Sequence, residues 1–224
     1  MGEKMQLTKY AHACLSLEKS DMQIVIDPGN LTDDYTPSSE VVAIIITHIH
    51  SDHFDPGMIN RITQLNQNAV VIAHQSITDK LAAGTAYVSV EAGDALTVGN
   101  FGLKFYGGEH ATIFDRLPGV ANLGVMVDEI LYYPGDSFAV PDMDVKFLAL
   151  PVAAPWLKIS ETIDFLNSVR PKLAFPTHDA ILSTSGKQIV DNLLSQLAPS
   201  YEVAYRRLDH TAVDLDEKLI SRLI

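Results

Sequence analysis

The sequence predicts an α/β (α+β) fold in which two β-sheets pack on each other and helices cover the outside. Three observations point there. The run Val41-Val42-Ala43-Ile44-Ile45-Ile46 has no polar alternation, as expected of a strand buried on both faces. Strand-like and helix-like segments alternate through residue 90, and from residue 94 strands joined by tight turns take over before the alternation resumes. A repeated order of sheet plus helices is satisfied most simply when the buried faces of two sheets meet.

Taken in order, residues 5–10 and 13–18 read as strands, and the turn Lys19-Ser20-Asp21 leads into strand 22–26. That strand runs into Asp27-Pro28-Gly29, which places a carboxylate at a strand end. Residues 30–40 are polar and turn-rich, hence loop. After 41–46, Asp55 serves as N-cap and Pro56 takes the first helical position, where its missing N–H costs nothing; Met58, Ile62 and Leu65 share a face of that helix. Strand 69–73, a helix begun by Ser76 and closed near Gly84, and strand 86–90 follow. Strands 95–98 and 101–106 flank Gly99-Asn100, and strands 123–127 and 130–133 flank Asp128-Glu129. Run 145–150 is again of the buried type. Ser160 can cap a helix carrying Ile163, Leu166 and Val169, which Arg170-Pro171 ends. Strand 172–176, a helix lined by Ile189, Leu193 and Leu197, and strand 202–208 complete the chain.

A length of 224 residues suits a single domain, 1–224, with a full core. Sixteen basic against 28 acidic residues give a formal charge of −12, whose field repels phosphate backbones and anionic membrane surfaces. No nucleic-acid or membrane partner is therefore expected, and a homo-oligomer stays open. Bound divalent cations would reverse the sign locally, so a small anionic substrate is not excluded. The single cysteine, Cys14, cannot form an internal disulfide, and its neighbours Ala13, Leu15 and Leu17 make it a small core residue. With no charged-then-apolar leader and no apolar run of membrane-span length, cytoplasmic residence is expected.

The chemistry concentrates in Thr47-His48-Ile49-His50-Ser51-Asp52-His53. Three imidazoles and a carboxylate at the end of a buried strand are metal-ligand chemistry that packing does not require. In an extended chain His48 and His50 point to one side. Asp52 and His53 are adjacent, so at least one aims elsewhere, and the stretch can serve two neighbouring metals. Other metal-capable residues share the strand-end setting: His110 after Gly107-Gly108-Glu109, Asp136 after Pro134-Gly135, His178 after Thr177, and His12 near the first strand. Each alone is ordinary turn chemistry. Their joint placement points to one converging site.

With Ile26-Asp27-Pro28-Gly29, Thr47 to His53, His110, Tyr133-Pro134-Gly135-Asp136-Ser137 and Pro176-Thr177-His178-Asp179 in this order, the sequence resembles the metallo-β-lactamase-fold superfamily of metal-dependent hydrolases. Residues 10–18 and the compact length are similar to the branch containing ascorbate-phosphate lactonases. The resemblance implies a four-layer αββα sandwich with its site along one edge of the sheets. It puts His48, His50 and His110 on one divalent metal and Asp52, His53 and His178 on a second, with Asp136 bridging. Asp27 would steady the ligand loop through hydrogen bonds. Zinc suits the histidine-rich set, and the carboxylates leave manganese or iron open. Glu109 and Asp179, beside two of these histidines, depart from the pattern. His12 either faces the site or is satisfied within the first hairpin; His74 and His210 read as structural or surface residues.

Such a site implies an enzyme, a dinuclear hydrolase that directs a metal-bridging hydroxide at a small ester-like substrate, a lactone or a phosphoester. Asp52 would be its catalytic residue, holding the nucleophile and passing its proton to the leaving group. A phosphodiesterase or nuclease of the same fold is the alternative, disfavoured by the missing basic patch, and a non-catalytic metal-binding protein is the third reading. In the connection 111–122, Arg116 and Asn122 are candidate substrate contacts, Arg116 for an anionic group. Trp156, in the loop 151–157, either contacts substrate or caps the core, and the core is preferred.

Overall fold

The computed structural model describes residues 4–216, 218 and 219; residues 1–3, 217 and 220–224 of the expected domain 1–224 lie outside the described residues. Its strands are β1 (Gln6–Lys9), β2 (Leu15–Lys19), β3 (Met22–Ile26), β4 (Val41–Ile46), β5 (Val70–Ala73), β6 (Tyr87–Ser89), β7 (Ala95–Val98), β8 (Phe101–Glu109), β9 (Ala121–Val127), β10 (Leu131–Tyr133), β11 (Phe147–Pro151), β12 (Leu173–Thr177), β13 (Ala204–Tyr205) and β14 (Val213–Asp214). They form two sheets, ordered β14-β1-β2-β3-β4-β5-β6 and β13-β12-β11-β10-β9-β8-β7.

Alternation along the strands builds three apolar layers. Ile24 and Ile26 of β3 and Ala43 and Ile45 of β4 enter a core shared with Phe105, Val125, Phe147 and Phe175 of the other sheet. Their neighbours Val25, Ile44 and Ile46 face the opposite way, against Met58, Ile59, Ile62 and Ile77. On the second sheet Tyr132, Leu148 and Leu150 pack against Phe165, Leu166 and Leu194. The non-alternating run 41–46 thus serves two cores at once, each buried side chain contributing about 1.5–3 kcal/mol relative to exposure. The resulting order of layers, helix, sheet, sheet, helix, is the expected αββα sandwich.

The helices α1 (Pro56–Leu65), α2 (Gln75–Thr78), α3 (Ile159–Val169) and α4 (Thr184–Leu197) correct the sequence reading in detail. Asp55 caps α1 through Gly57 N, but Leu65 is exposed and Ile59 takes its place in the buried stripe. The segment after β5 makes a single turn, capped by His74 accepting from Ser76 N, and does not run to Gly84 as a helix. At α3 the Glu161 carboxylate accepts the Lys158 N–H at 2.8 Å, and Ser160 lies inside the first turn. In α4 Leu194 is the buried residue, whereas Ile189 is exposed. Outer-layer helices bury only a narrow stripe, so a rotation of one position inverts such assignments. No helix among the described residues is long and apolar enough to cross a membrane.

Strand directions decide where the chemistry collects. β1 and β3 are both antiparallel to β2, and β4 is parallel to β3. β8 and β10 are both antiparallel to β9, and β10, β11 and β12 are mutually parallel. The C-terminal ends of β1, β3 and β4 therefore open on one edge of their sheet, those of β8, β10, β11 and β12 on one edge of theirs, and β2 and β9 begin there. A bridge between His48 and Asn122, with Leu123 N donating to Thr47 O at 2.9 Å, ties the two edges together.

Candidate metal centre

The loop 47–53 is held from below by Asp27, whose backbone adopts a φ of 48° just past β3. Its buried carboxylate accepts three bonds: from Thr47 N at 2.8 Å, Thr47 Oγ1 at 2.6 Å and His53 Nδ1 at 2.7 Å. These bonds tie Asp27 to both ends of the loop. Gly29 completes the support, because a Cβ there would lie 1.9 Å from Asp52 O. Only glycine lets the two loops lie this close.

The Nδ1 atoms of four histidines are anchored in the same way. His53 uses Asp27; His110 and His178 donate to the carbonyls of Ala111 and Ala153, each at 2.5 Å; His48 meets Thr47 Oγ1 at 3.1 Å. Anchoring Nδ1 fixes the tautomer and leaves the Nε2 lone pair aimed inward. Those Nε2 atoms surround Asp136. His53 lies 3.2 Å from Oδ1, and His178, His110 and His48 lie 3.0, 3.4 and 3.9 Å from Oδ2. Yet His53 Nε2, His110 Nε2, His178 Nε2 and Asp136 Oδ1 are buried without an aligned hydrogen bond. Four such orphans in one place would be costly to bury, and they fit divalent cations, which take lone pairs of nitrogen and oxygen.

Among the described residues, the donor atoms of His48, His50, His110 and Asp136 lie within 4.8 Å of one another, and so do those of His12, Asp52, His53 and His178. Asp136, itself in the first set beside His110, reaches the second through His53 and His178. Burial pushes His48 and His50 below the ordinary imidazole value. Burial opposes charge on His53 and His178 as well, but there the carboxylates prevail. Asp136 and Asp27 hold His53 well above its usual range, and Asp136 and Asp52 push His178 up to about 9. Burial likewise works against ionised Asp52 and Asp136, and the imidazoles outweigh it, holding both well below the carboxylate range. A divalent cation would take the place of the protons that these imidazoles otherwise hold.

His12 faces this site; it is not satisfied within the first hairpin. Its Nδ1 accepts from Ala180 N at 3.3 Å, which leaves Nε2–H to donate to Asp52 Oδ2 at 3.0 Å. Trp156 is buried, as the core reading has it, with its ring on Phe138, and its indole N–H makes a bond that neither reading included, donating to Asp136 Oδ2 at 2.9 Å. Asn122 is buried in β9 and belongs to no loop. It accepts from Asp136 N and donates to Pro134 O, each at 2.9 Å, so it positions Asp136 and does not reach outward. Arg116 is exposed, and among the described residues it does not line the cavity beside His50 and His110. Asp179 is fully buried, in ion pairs with Lys9, Lys187 and Arg207, whereas Glu109 is exposed. Cys14 is buried among the apolar residues of the first outer core, as expected. His74 caps α2, and His210 pairs with Asp34 at the surface. The sequence reading missed the role of Thr47, whose only signal was its place directly after β4.

The family described as the beta-lactamase superfamily domain matches residues 6–178. The chain is similar to Protein Rv0786c of Mycobacterium tuberculosis, with 33% identity over 198 residues covering 86% of this chain and 92% of that protein. It is 28% identical to the UPF0173 metal-dependent hydrolase SSP1060 of Staphylococcus saprophyticus, over 78% of this chain and 85% of the relative. Among solved structures, Igni18, a metallo hydrolase from the archaeon Ignicoccus hospitalis, shares the fold with a TM-score of 0.72, covering 95% of this chain and 99% of its own at 17% identity. A match that takes in every strand lining the metal-competent edge settles membership: the chain belongs to the metallo-β-lactamase-fold superfamily of metal-dependent hydrolases.

Proposed function

We propose that the protein is a dinuclear hydrolase acting on a small ester-like substrate. The observation that supports this best is the group of buried, unbonded donor atoms around Asp136. His48, His50 and His110 would hold one divalent ion, Asp52, His53 and His178 the other, and Asp136, reaching imidazoles of both sets, would be shared. Zinc is the metal these donors suit first. When bound, the ions supply Lewis-acid polarisation of the attacked group and a water acidified toward neutral pH.

The chain's own residues do the rest. Asp52 is the least buried of the carboxylates at the site, with 24% of its side chain exposed, so it is the one that faces incoming water. Held ionised, with His12 donating to one oxygen, it can take a proton from the attacking water and pass it to the leaving group. Trp156 and Asn122 hold the Asp136 side chain and backbone, so the shared carboxylate needs no reorganisation.

Elemental analysis of the purified protein is expected to give close to two ions per chain. A chelator should abolish hydrolysis of a lactone and ester panel, and added zinc should restore it. Activity that survives His48→Ala or Asp136→Ala unchanged would overturn the assignment.

A further inference from the structure

A cavity of about 600 Å³ opens beside the metal-competent cluster, within the size range of small-molecule sites. His50 and His110 line it on the side of the cluster, and residues of the segment 111–121 make up most of its wall. That wall is fastened to the site's own backbone: Ala111 N donates to Asp136 O at 2.8 Å, and His110 N to Val120 O at 3.0 Å. Three large apolar side chains on it stand in solvent, Ile113 41%, Phe114 56% and Leu117 54% exposed. Such a cluster next to a reactive centre marks a binding surface, since nothing in the core requires it. Among the described residues, the carboxylates that line it are Glu109 and Asp115, and no lysine or arginine does; Arg116, although between two lining residues, is not one of them.

From this juxtaposition we infer that the 111–121 wall selects the substrate, an ester with an apolar acyl chain that is uncharged or cationic at its far end. The inference rests on the hydrolase reading and narrows its substrate. In the reaction the acyl C–O bond breaks and the water oxygen bonds to the carbonyl carbon. One water proton reaches the leaving alkoxide, and the other leaves with the carboxylic acid, which ionises at neutral pH. A carboxylate or phosphate at the far end of the acyl chain would meet Glu109 and Asp115 away from the metal-competent cluster, with no lysine or arginine among the described lining residues to compensate. The apolar chain would cover Phe114 and Leu117, which otherwise face water.

The test has two arms, both on the zinc-loaded full-length protein. In the kinetic arm, kcat/KM is expected to rise about twofold per methylene from p-nitrophenyl acetate to the hexanoate, less than full burial would give because the wall is open. The p-nitrophenyl monoester of adipic acid should fall about tenfold below the hexanoate. Phe114→Ala combined with Leu117→Ala should flatten the chain-length series, and Glu109→Lys combined with Asp115→Lys should close the gap to the adipate ester. In the binding arm, saturation-transfer NMR with 2-nonanone and with 8-oxononanoic acid reads the wall without turnover. Signal from the neutral ketone that the alanine pair removes, and weak signal from the acid, is expected. Equal binding of the two ketones, or a flat chain-length series in the wild type, overturns the inference. If the ketone binds as expected but no ester is turned over, the wall assignment stands and the hydrolase reading fails. If phosphoesters or short anionic esters are turned over instead, the reverse holds.

Discussion

Trp156 donates its indole N–H to Asp136 Oδ2 at 2.9 Å, although the two residues lie 20 apart in the chain and follow different strands. The same oxygen is approached by His178 and His110 at 3.0 and 3.4 Å, so the indole sets which way the carboxylate turns. Trp156→Phe keeps a ring against Phe138 and removes only the donor. Metal affinity or kcat is expected to fall about tenfold, as for other outer partners of metal-site carboxylates, while the melting temperature moves by only a few degrees. Competition against a chromophoric chelator measures the affinity; a change under twofold in both affinity and kcat would show the bond to be incidental.

Asp27→Asn tests the support beneath the ligand loop. The amide can still accept from Thr47 N, but its NH2 group would confront two donors, Thr47 Oγ1 and His53 Nδ1. One of them must lose its partner in a buried place, at a cost of about 1–3 kcal/mol. His53 also loses the bond that fixes its tautomer. The metal content should drop from near two ions per chain toward one, because His110 keeps its bond to Ala111 O and His48 its bond to Thr47 Oγ1, whereas His53 loses its own. Elemental analysis at full occupancy reads the outcome, and two retained ions would refute it.

The buried Asp179 gives a pH dependence with a definite sign. Burial works against its ionised form, yet Lys9 at 3.0 Å and the adjoining Arg207 bring its carboxyl down to about 2. The folded value lies below the unfolded one, near 3.9, so the stabilisation is complete above about pH 5 and is lost as pH falls toward 2. It amounts to roughly 2–3 kcal/mol, of which about half is gone by pH 3. Between pH 7 and pH 3, denaturant unfolding should therefore show a loss about 1 kcal/mol smaller in Asp179→Asn than in the wild type. If leaving Lys9 with fewer partners unfolds that variant, Lys9→Met combined with Asp179→Leu serves instead. Equal losses in all three proteins would contradict the shift.

Much of this site could be read in the sequence because its parts are local. His48, His50, Asp52 and His53 fall within one loop, and the flanking signals, an unbroken apolar run and Asp55-Pro56, are strong short-range chemistry. What could not be read depends on distance. Nothing near Trp156 or Asn122 in the chain announces Asp136; the contacts exist because β9 begins, and β10 and β11 end, at the same edge. Arg116 was suggested by its nearness in sequence to His110, but an exposed loop can turn any side chain away. The two-residue strand β14 and the one-turn α2 are too short to carry a period, and both owe their form to neighbours already in place. Leu65 and Ile189 have the right spacing for a buried face, yet they stand outside the narrow stripe that an outer-layer helix covers.

Gly135 offers the sharpest separation of backbone strain from close approach. Its φ is +63°, and a Cβ there would lie 2.4 Å from Asn122 Oδ1 and 2.8 Å from Thr47 Cβ. Asn122 Oδ1 is the atom that accepts the Asp136 N–H, so an alanine would push directly on the bond that positions Asp136. Gly108 is the natural control, with a φ of +128° and nothing within 4 Å of a built Cβ. Both alanine variants should lose about 1–2 kcal/mol to the left-handed backbone. Gly135→Ala should lose about 2 kcal/mol more by overpacking, and its metal affinity should fall while that of Gly108→Ala holds. Chemical denaturation and metal titration of the pair measure this. Equal stability losses with equal affinities would mean that the layer formed by Thr47, Asn122 and Gly135 yields without disturbing Asp136.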